Sequence, residues 1–288
     1  MNKESAINEL ENISSIQSYW NEEGGRKWVE NIHIIESMIA PISEIMIERI
    51  SARQGEKVLD IGCGGGITSI RLAGLVAPIG NVVGIDVSEP ILQIAKNRAA
   101  TIDNIQFILN DAGTIPLEPN TFDIITSRFG IMFFDNPILA FRNLHTSLIP
   151  NGRLIFMCWR KIHENPLMNE PVKIISELLE LKDDAEYADP TIPGPFSLSD
   201  PQHLTDLLET AGFNNIKLQK VDENLPLGKL EQAISYSMKM GPAGKILKDA
   251  THQIKQEASH AIRQAFKKYS KDNRVNVPSA TWIVSATK

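Results

Sequence analysis

Short apolar segments recur along the first half of the chain, and helical segments separate them. Five of them lie at residues 58–61, 82–86, 105–109, 122–126 and 154–159. They are apolar almost throughout and do not alternate between apolar and polar residues, which is typical of strands with both faces buried. The alternation of such strands with helices predicts a doubly wound α/β fold on a mainly parallel sheet.

Three helices are predicted between these strands, at residues 67–77, 88–100 and 137–148. Ser88 stands at the start of the second helix, where its hydroxyl is expected to cap a free backbone N–H. A proline in the first turn of that helix agrees with this start.

The pattern loosens after residue 159. Residues 183–201 contain four prolines and are too long for an ordinary connector, which favours a lid or a mobile segment. Ser199 or Asp200 is expected to cap the helix that follows. Residues 216–221 alternate between apolar and polar side chains, as an exposed-sided strand does. Residues 281–285 are predicted to form the last strand, with helical insertions before it.

The composition excludes several classes of protein. The 288 residues carry 29 Lys and Arg against 35 Asp and Glu, a net charge of −6, so the broad basic field needed for nucleic acid is not expected. The two cysteines, Cys63 and Cys158, form no Cys-x-x-Cys pair, which argues against a disulfide scaffold or zinc site. No apolar leader or membrane-length apolar run is recognised, so we expect a cytoplasmic protein without an integral membrane segment.

A glycine-rich turn between the first strand and the first helix is the most specific motif. Gly62, Gly64 and Gly66 alternate with other residues in this turn. Glycines let a ligand approach the backbone closely, and the next helix offers free N–H groups. This arrangement predicts a nucleotide-like ligand. A dinucleotide fingerprint would place a further glycine at Ile67, so the turn departs from the NAD-binding pattern.

Two carboxylates follow the next strands. Asp86 ends the second strand, where it can accept hydrogen bonds from both hydroxyls of a ribose. Asp111 follows the third strand, in a loop that could hold an adenine edge. Because the carboxyl ends of parallel strands meet at one edge, three strand ends are expected to form one crevice.

These motifs, in this order, resemble the class I S-adenosylmethionine-dependent methyltransferases. The matching segments are residues 58–66, 83–88, 110–112, 122–129 and 148–154. A looser resemblance links the chain to a subgroup related to the ubiquinone/menaquinone C-methyltransferases. It rests on residues 19–28, 158–160, 164–166 and 194–196.

The resemblance implies S-adenosylmethionine as the cofactor and a seven-stranded, Rossmann-like sheet whose antiparallel strand is residues 281–285. The implied cofactor-binding residues are Asp60, Gly62, Cys63, Gly64, Asp86, Val87, Asp111, Ala112, Ser127 and Arg128. In this interpretation the glycine turn lies against the methionine part, Asp86 at the ribose and Asp111 at the adenine. Asp60 either orients the turn or meets the amino group. No metal is expected.

Candidates for the acceptor side come from the arm and from the ends of the fourth and fifth strands. Residues that could form a lid or contact the substrate are Tyr19, Trp20, Trp28, Phe129 and Arg160. Ordinary packing of an N-terminal helix explains Trp20 and Trp28 equally well, and an exposed ion pair is the simplest role for Arg160. His163, Glu164 and Arg128 are candidates for assisting proton removal.

The preferred interpretation is a methyltransferase acting on a small, hydrophobic or aromatic acceptor, with an N-terminal helical arm at residues 1–45, a cofactor-binding core at 46–160 and a remainder with lid and helical insertions at 161–288. A homodimer is compatible with the sequence. Two alternatives stay open. One is a non-catalytic cofactor-binding module that acts through partners, and the other is an NAD-dependent oxidoreductase.

Overall fold

A computed structural model describes residues 16–181 and 192–288. Residues 1–15 of the predicted arm and residues 183–191 of the predicted lid segment lie outside the described residues.

The described elements follow one another in an alternating order. The strands are β1 (Lys57–Ile61), β2 (Asn81–Asp86), β3 (Ile105–Leu109), β4 (Phe122–Arg128), β5 (Leu148–Trp159), β6 (Asn214–Lys229), β7 (Ser270–Lys271) and β8 (Arg274–Thr287). The helices are α1 (Glu23–Ile50), α2 (Ile67–Val76), α3 (Glu89–Arg98), α4 (Pro137–Ser147), α5 (Pro166–Leu178), α6 (Pro201–Thr210), α7 (Leu230–Lys239), α8 (Gly241–Ile246) and α9 (His252–Phe266). Short 3-10 turns lie at Ile131–Phe133, Ile162–Glu164 and Lys267–Tyr269, and residues 16–21 are helical as well.

The sheet confirms the predicted fold class. Its order is β3-β2-β1-β4-β5-β8-β6, with β7 paired to β8. The first five strands are parallel, whereas β8 runs antiparallel to both β5 and β6. The segment predicted as the last, antiparallel strand therefore lies within β8. The predicted strand at residues 216–221 is the middle of the longer β6.

Burial explains why the central strands are apolar on both faces. Val58 and Leu59 of β1 and Phe156 of β5 are completely buried, since helices cover both sides of the parallel region. On α1, the buried residues recur every three or four positions from Ile35 to Ile50, and this stripe packs against the sheet at β5 and β6. Burial of each such side chain contributes about 1.5–3 kcal/mol.

Helix starts show one wrong prediction and one confirmed one. Ser88 is the N-cap residue of α3, but its side chain makes no capping hydrogen bond; its hydroxyl donates to the carbonyl oxygen of Trp20 instead, at 2.7 Å. Asp200 caps α6 as predicted, because its Oδ1 accepts from the backbone N–H groups of Gln202 and His203. A long-range partner has therefore displaced the local one at Ser88.

The insertions before β8 form a helical layer in which α5, α7, α8 and α9 pack on one another. The apolar face of α9 is buried there through Ala258, Ile262 and Phe266. Within residues 16–181 and 192–288, no helix has the length and apolar character needed to cross a membrane.

Candidate functional site

The glycine turn after β1 lies at the carboxyl edge of the sheet. Gly62 and Gly64 have φ of 62° and 54°, a region that side chains rarely adopt. A Cβ on Gly62 would lie 2.7 Å from the Cα of Gly130, so the turn after β4 presses directly on this one. A Cβ on Gly64 would meet only Ile91 Cγ2, at 3.9 Å, among the described residues. One side of the turn is thus closed by protein and the other is open.

Asp86 joins the end of β2 to this turn. Its Oδ2 accepts from the backbone N–H of Gly64 at 2.8 Å, and its Oδ1 accepts from the N–H of Ser88 at 2.9 Å. Burial raises the pKa of Asp86, and the backbone donors oppose that rise. Each carboxylate oxygen can accept a second hydrogen bond. The structure therefore brings together the predicted ribose carboxylate and the predicted glycine turn.

Asp60 lies beneath the turn and is almost completely buried. Its Oδ2 accepts from the Ser69 hydroxyl at 2.5 Å. Burial raises the pKa of Asp60 to about 6, although the Ser69 hydrogen bond and the positive charge of Arg128 oppose the rise. The carboxylate thus links the end of β1 to the first turn of α2, and its role in orienting the glycine turn or meeting the amino group stays a prediction.

Arg128 ends β4 beside Asp60. Its Nη1 donates to the Ser43 hydroxyl of α1 at 2.7 Å. Burial lowers the pKa of Arg128, whereas the carboxylates of Asp60 and Glu36 raise it. The guanidinium thus links the arm helix to the strand ends.

Ser127 is completely buried, and its hydroxyl bridges two backbone groups. The Oγ donates to the carbonyl oxygen of Ile61 at 2.8 Å and accepts from the N–H of Ile131 at 3.0 Å. These bonds tie the end of β1 to the turn at Ile131–Phe133. Contact with a cofactor through this hydroxyl stays a prediction.

An aromatic pair stands at the ends of β4 and β5. Phe129 has φ of 63°, which is strained for a bulky side chain and is found most often at functional sites. Its ring stacks on Trp159 with centroids 4.3 Å apart and planes 11° apart. Phe129 stays partly exposed, whereas only 8% of Trp159 is exposed, so Phe129 is the accessible ring of the pair, one residue from Gly130.

The arm brings further aromatic rings to the same edge. Trp20 contacts Tyr19, Trp28 and Phe133 edge to face, at centroid distances of 5.4, 5.8 and 5.5 Å. Phe133 belongs to the turn that Ser127 anchors. Tyr19 is half exposed. The arm aromatics therefore lie beside the strand ends, as the lid interpretation requires, and they are packed on one another, as ordinary packing requires.

Asp111 holds its own turn together. Its Oδ1 accepts from the N–H of Gly113 at 2.8 Å, and its Oδ2 accepts a longer bond from the Thr114 hydroxyl, at 3.3 Å. Ala112 is buried beside it. The second oxygen keeps capacity for another donor, and its role at an adenine stays a prediction.

Arg160 is itself buried, unlike the arginine of the expected exposed ion pair, although its partner Asp222 is exposed. Its side chain pairs with Asp222 of β6 and with Glu164, and its guanidinium carbon lies 5.3 Å from the Trp282 ring centre. Only 7% of the residue is exposed. His163, on the turn that also carries Glu164, is exposed. The carboxylate of Glu164 is thus already engaged by a cation.

Residues 16–181 and 192–288 contain no group of three or more His, Cys, Asp or Glu side chains placed to hold a metal ion. Cys63 and Cys158 are buried free thiols, and burial raises the pKa of Cys63, as nearby Asp86 also does. A reactive thiolate is therefore not favoured at the glycine turn.

Sequence reasoning missed three polar residues that meet the site from elsewhere in the chain. Asn21 and Glu36 come from the arm, and Arg98 comes from the end of α3; their contacts are described below. The only sequence signal was the position of Asn21 directly after Tyr19 and Trp20.

The strand order, with antiparallel β8 between β5 and β6, and the carboxylate that meets the glycine turn define the class I S-adenosylmethionine-dependent methyltransferases. A family model described as a methyltransferase domain matches residues 52–212, and the chain belongs to that family. S-adenosylmethionine is the cofactor of this class. The open side of Gly64 and the two oxygens of Asp86 fit it, because they leave both space and acceptors at the turn.

Known proteins resemble different shares of the chain. A demethylmenaquinone methyltransferase of Staphylococcus aureus strain JH9 is 34% identical over 110 residues, which cover 38% of this chain and 46% of that protein. The match thus spans less than half the length of the curated relative.

Solved structures cover more of the chain. YcgJ of Bacillus subtilis has a TM-score of 0.54 at 18% identity, over 85% of this chain and 97% of that one. A phosphoethanolamine N-methyltransferase 2 of Haemonchus contortus, solved with S-adenosylmethionine, has a TM-score of 0.54 at 17% identity, over 86% of this chain and 52% of that one. At these identities the likeness shows a shared fold.

Proposed function

We propose that this chain transfers a methyl group from S-adenosylmethionine to a small acceptor with an apolar, aromatic face. The observation that carries the proposal is the position of the Phe129–Trp159 stack at the strand ends, one residue from the Gly130 that presses on the glycine turn. A flat apolar surface beside a cofactor turn suits a planar acceptor.

Residues of the chain hold the cofactor in this proposal. Asp86 accepts from the ribose hydroxyls, the backbone at Gly62 and Gly64 faces the methionine part, and Asp111 with Ala112 borders the adenine. When bound, S-adenosylmethionine supplies an electrophilic methyl group on a sulfonium. The protein then has to align the acceptor with that methyl and exclude water, which can account for about 7–11 kcal/mol of the barrier.

The acceptor side is built from rings. Phe129, supported from below by the buried Trp159 ring, gives the flat surface. Trp20 and Phe133 lie on the arm side of the same edge. The curated relative is named a demethylmenaquinone methyltransferase, and a quinone acceptor falls within the same substrate class. We propose that catalysis relies on aligning the acceptor with the methyl group and not on a general base. The side chains of Glu164 and Arg128 are engaged by other side chains, and His163 is exposed.

Location and assembly stay predictions. We expect a cytoplasmic enzyme that uses small molecules and not nucleic acid, given the net charge of −6, and a homodimer is compatible with the sequence.

The first test is calorimetric titration of the chain with S-adenosylmethionine, S-adenosylhomocysteine and NADH. We expect the two sulfur nucleotides to bind, NADH not to bind, and Asp86→Ala to weaken binding. Asp206→Ala removes an exposed aspartate on α6 and should bind as the wild type does. Binding of NADH alone would favour an oxidoreductase.

The second test measures transfer of labelled methyl groups to a panel of hydroxylated aromatic and quinol acceptors. Trp159→Ala should raise KM for the acceptor more than KM for the cofactor, because the ring lies on the acceptor side. Cofactor binding without transfer to any acceptor would favour the non-catalytic module.

A further inference from the structure

The loop that carries Asp86 leads straight into α3, and the first turn of that helix needs an acceptor for its free N–H groups. Ser88 does not provide one, because its hydroxyl donates to the carbonyl oxygen of Trp20 in the arm. The helix start is therefore held by a residue from another part of the chain.

Asn21 of the arm is that residue. Its Oδ1 accepts from the backbone N–H of Glu89, the first residue of α3, at 3.0 Å. Its Nδ2 donates to the carbonyl oxygen of Val87 at 2.8 Å and to that of Gln17 in its own helical segment at 2.8 Å. One amide group thus holds both sides of the turn between Val87 and Glu89.

The hydrogen bonds of Asn21 also influence the position of the Asp86 carboxylate. Ser88 lies between the two residues that Asn21 binds, and its N–H donates to Asp86 Oδ1. The arm comes close enough because of Gly25, where a Cβ would lie 1.9 Å from the Trp20 carbonyl oxygen and 2.9 Å from Ser88 Oγ. A side chain at that position would push the arm away from the loop.

The arm also holds the far end of α3 and the glycine turn. Arg98 donates from Nη1 and Nη2 to the two carboxylate oxygens of Glu36 on α1, at 2.7 and 3.0 Å. The same Nη1 donates to the carbonyl oxygen of Gly65 at 2.8 Å. Both partners of this ion pair are largely buried, with 26% and 12% of their side chains exposed. A two-pronged pair of this kind fixes orientation as well as distance.

We infer that Asn21 is a positioning residue for the cofactor site and that docking of the part of the arm that carries Asn21 and Glu36, residues 16–36, is coupled to cofactor binding. The inference rests on the proposed function. With the arm docked, the Asp86 loop and the glycine turn are already ordered when the cofactor arrives. With the arm released, cofactor binding has to supply that ordering, and affinity falls. The coupling is reciprocal, so the cofactor stabilises the docked arm by the same factor.

Calorimetric titration of the full chain with S-adenosylhomocysteine tests the role of Asn21. We expect Asn21→Ala to raise Kd by up to about fivefold, because cofactor binding then has to supply the stabilisation that a capping side chain ordinarily gives to a helix start. Asn21→Asp keeps the acceptor for Glu89 but loses the donor to Val87, so its Kd should lie between those of Asn21→Ala and the wild type. Asn31→Ala is the matched control, because Asn31 donates to the Lys27 carbonyl in its own helix and to Met240 Sδ, and not to the loop.

Limited trypsin cleavage after Arg26, an exposed residue of α1, reports arm docking without any activity measurement. Cleavage within a helix requires local unfolding, so S-adenosylhomocysteine should slow it in the wild type and slow it less in Asn21→Ala. In steady-state assays Asn21→Ala should raise KM for S-adenosylmethionine and leave kcat near the wild-type value.

The two ideas fail in different ways. A wild-type chain that does not bind S-adenosylhomocysteine refutes the proposed cofactor site, and the inference with it. If the wild type binds but Asn21→Ala has an unchanged Kd, Asn21 is not a positioning residue. If the ligand leaves the wild-type cleavage rate unchanged, the arm is not coupled to the site; this measurement needs no variant to fold.

Discussion

Asp60 makes the stability of the protein depend on pH in a direction opposite to that of most carboxylates. Burial raises the pKa of Asp60 from 3.8 to about 6 in the folded chain. Between these two pH values the folded state binds more protons than the unfolded state. The free energy of unfolding contributed by this group therefore falls as pH rises through that window.

The substitution Asp60→Asn removes this dependence while keeping the side-chain size. A pKa difference of about two units corresponds to ~3 kcal/mol. We expect the stability of the wild type, measured relative to Asp60→Asn, to fall by up to that amount between pH 4 and pH 6. Titrating groups remote from Asp60 cancel in the difference, whereas Asp86, whose negative charge raises the pKa of Asp60, responds to the substitution.

Guanidinium chloride unfolding of both chains at half-unit steps from pH 4 to pH 8 measures this difference. Asp206→Asn, on the exposed face of α6, controls for the loss of a carboxylate. Arg128→Gln should move the fall in stability to higher pH, because the positive charge of Arg128 lowers the pKa of Asp60. A constant stability difference between wild type and Asp60→Asn across the range would refute the reasoning.

Three further predictions concern single positions. Gly62→Ala places a Cβ 2.7 Å from Gly130 Cα at a φ of 62°, so it should abolish binding of S-adenosylhomocysteine in a calorimetric titration; unchanged affinity would mean that the turn has room. Phe129→Asn relieves a strained φ, since asparagine tolerates this region, and should lower methyl transfer to aromatic acceptors while unfolding at no lower urea concentration than the wild type; unchanged transfer would exclude Phe129 from the acceptor surface formed with Trp159. Arg160→Met removes a buried guanidinium from Glu164 and Asp222, whose side chains are 29% and 63% exposed, and should lower the free energy of unfolding by about 1 kcal/mol; unchanged stability with a raised KM for the acceptor would instead assign Arg160 to the substrate.

The sheet could be predicted from the sequence because the signals that specify its strands and helices lie close together along the chain. Near-continuous apolar segments, glycines and caps occur within a few residues of one another, and the alternation of strands and helices leaves few arrangements. The meeting of Asp86 with the glycine turn follows from the same logic, because β1 and β2 are parallel neighbours whose carboxyl ends lie side by side.

The roles of Ser88 and Arg160 could not be predicted in this way. A serine before a helix is ordinarily its cap, and an arginine four residues before Glu164 is ordinarily an exposed pair. The role of each side chain is determined by a partner that is distant in sequence. For Ser88 this partner is the Trp20 carbonyl, and for Arg160 it is Asp222 of β6. A single sequence shows which side chains are able to form such bonds and does not show which backbone groups the fold brings to them.

The polar residues of the arm are the most instructive of these cases, because their spacing alone is that of solvent-exposed helix positions. The carboxyl edge of a parallel sheet, however, ends in turns and helix starts with free N–H and C=O groups, and a buried polar group without a partner costs about 1–3 kcal/mol. A segment that covers this edge therefore needs polar side chains at the points of contact. Glu36 reaches the Gly65 carbonyl through Arg98 in part-buried contacts, whereas Asn21 meets the Val87 carbonyl and the Glu89 N–H at the exposed rim of the edge. An arm with an apolar residue in place of Glu36 would bury the same aromatic rings and leave the Arg98 guanidinium without its carboxylate.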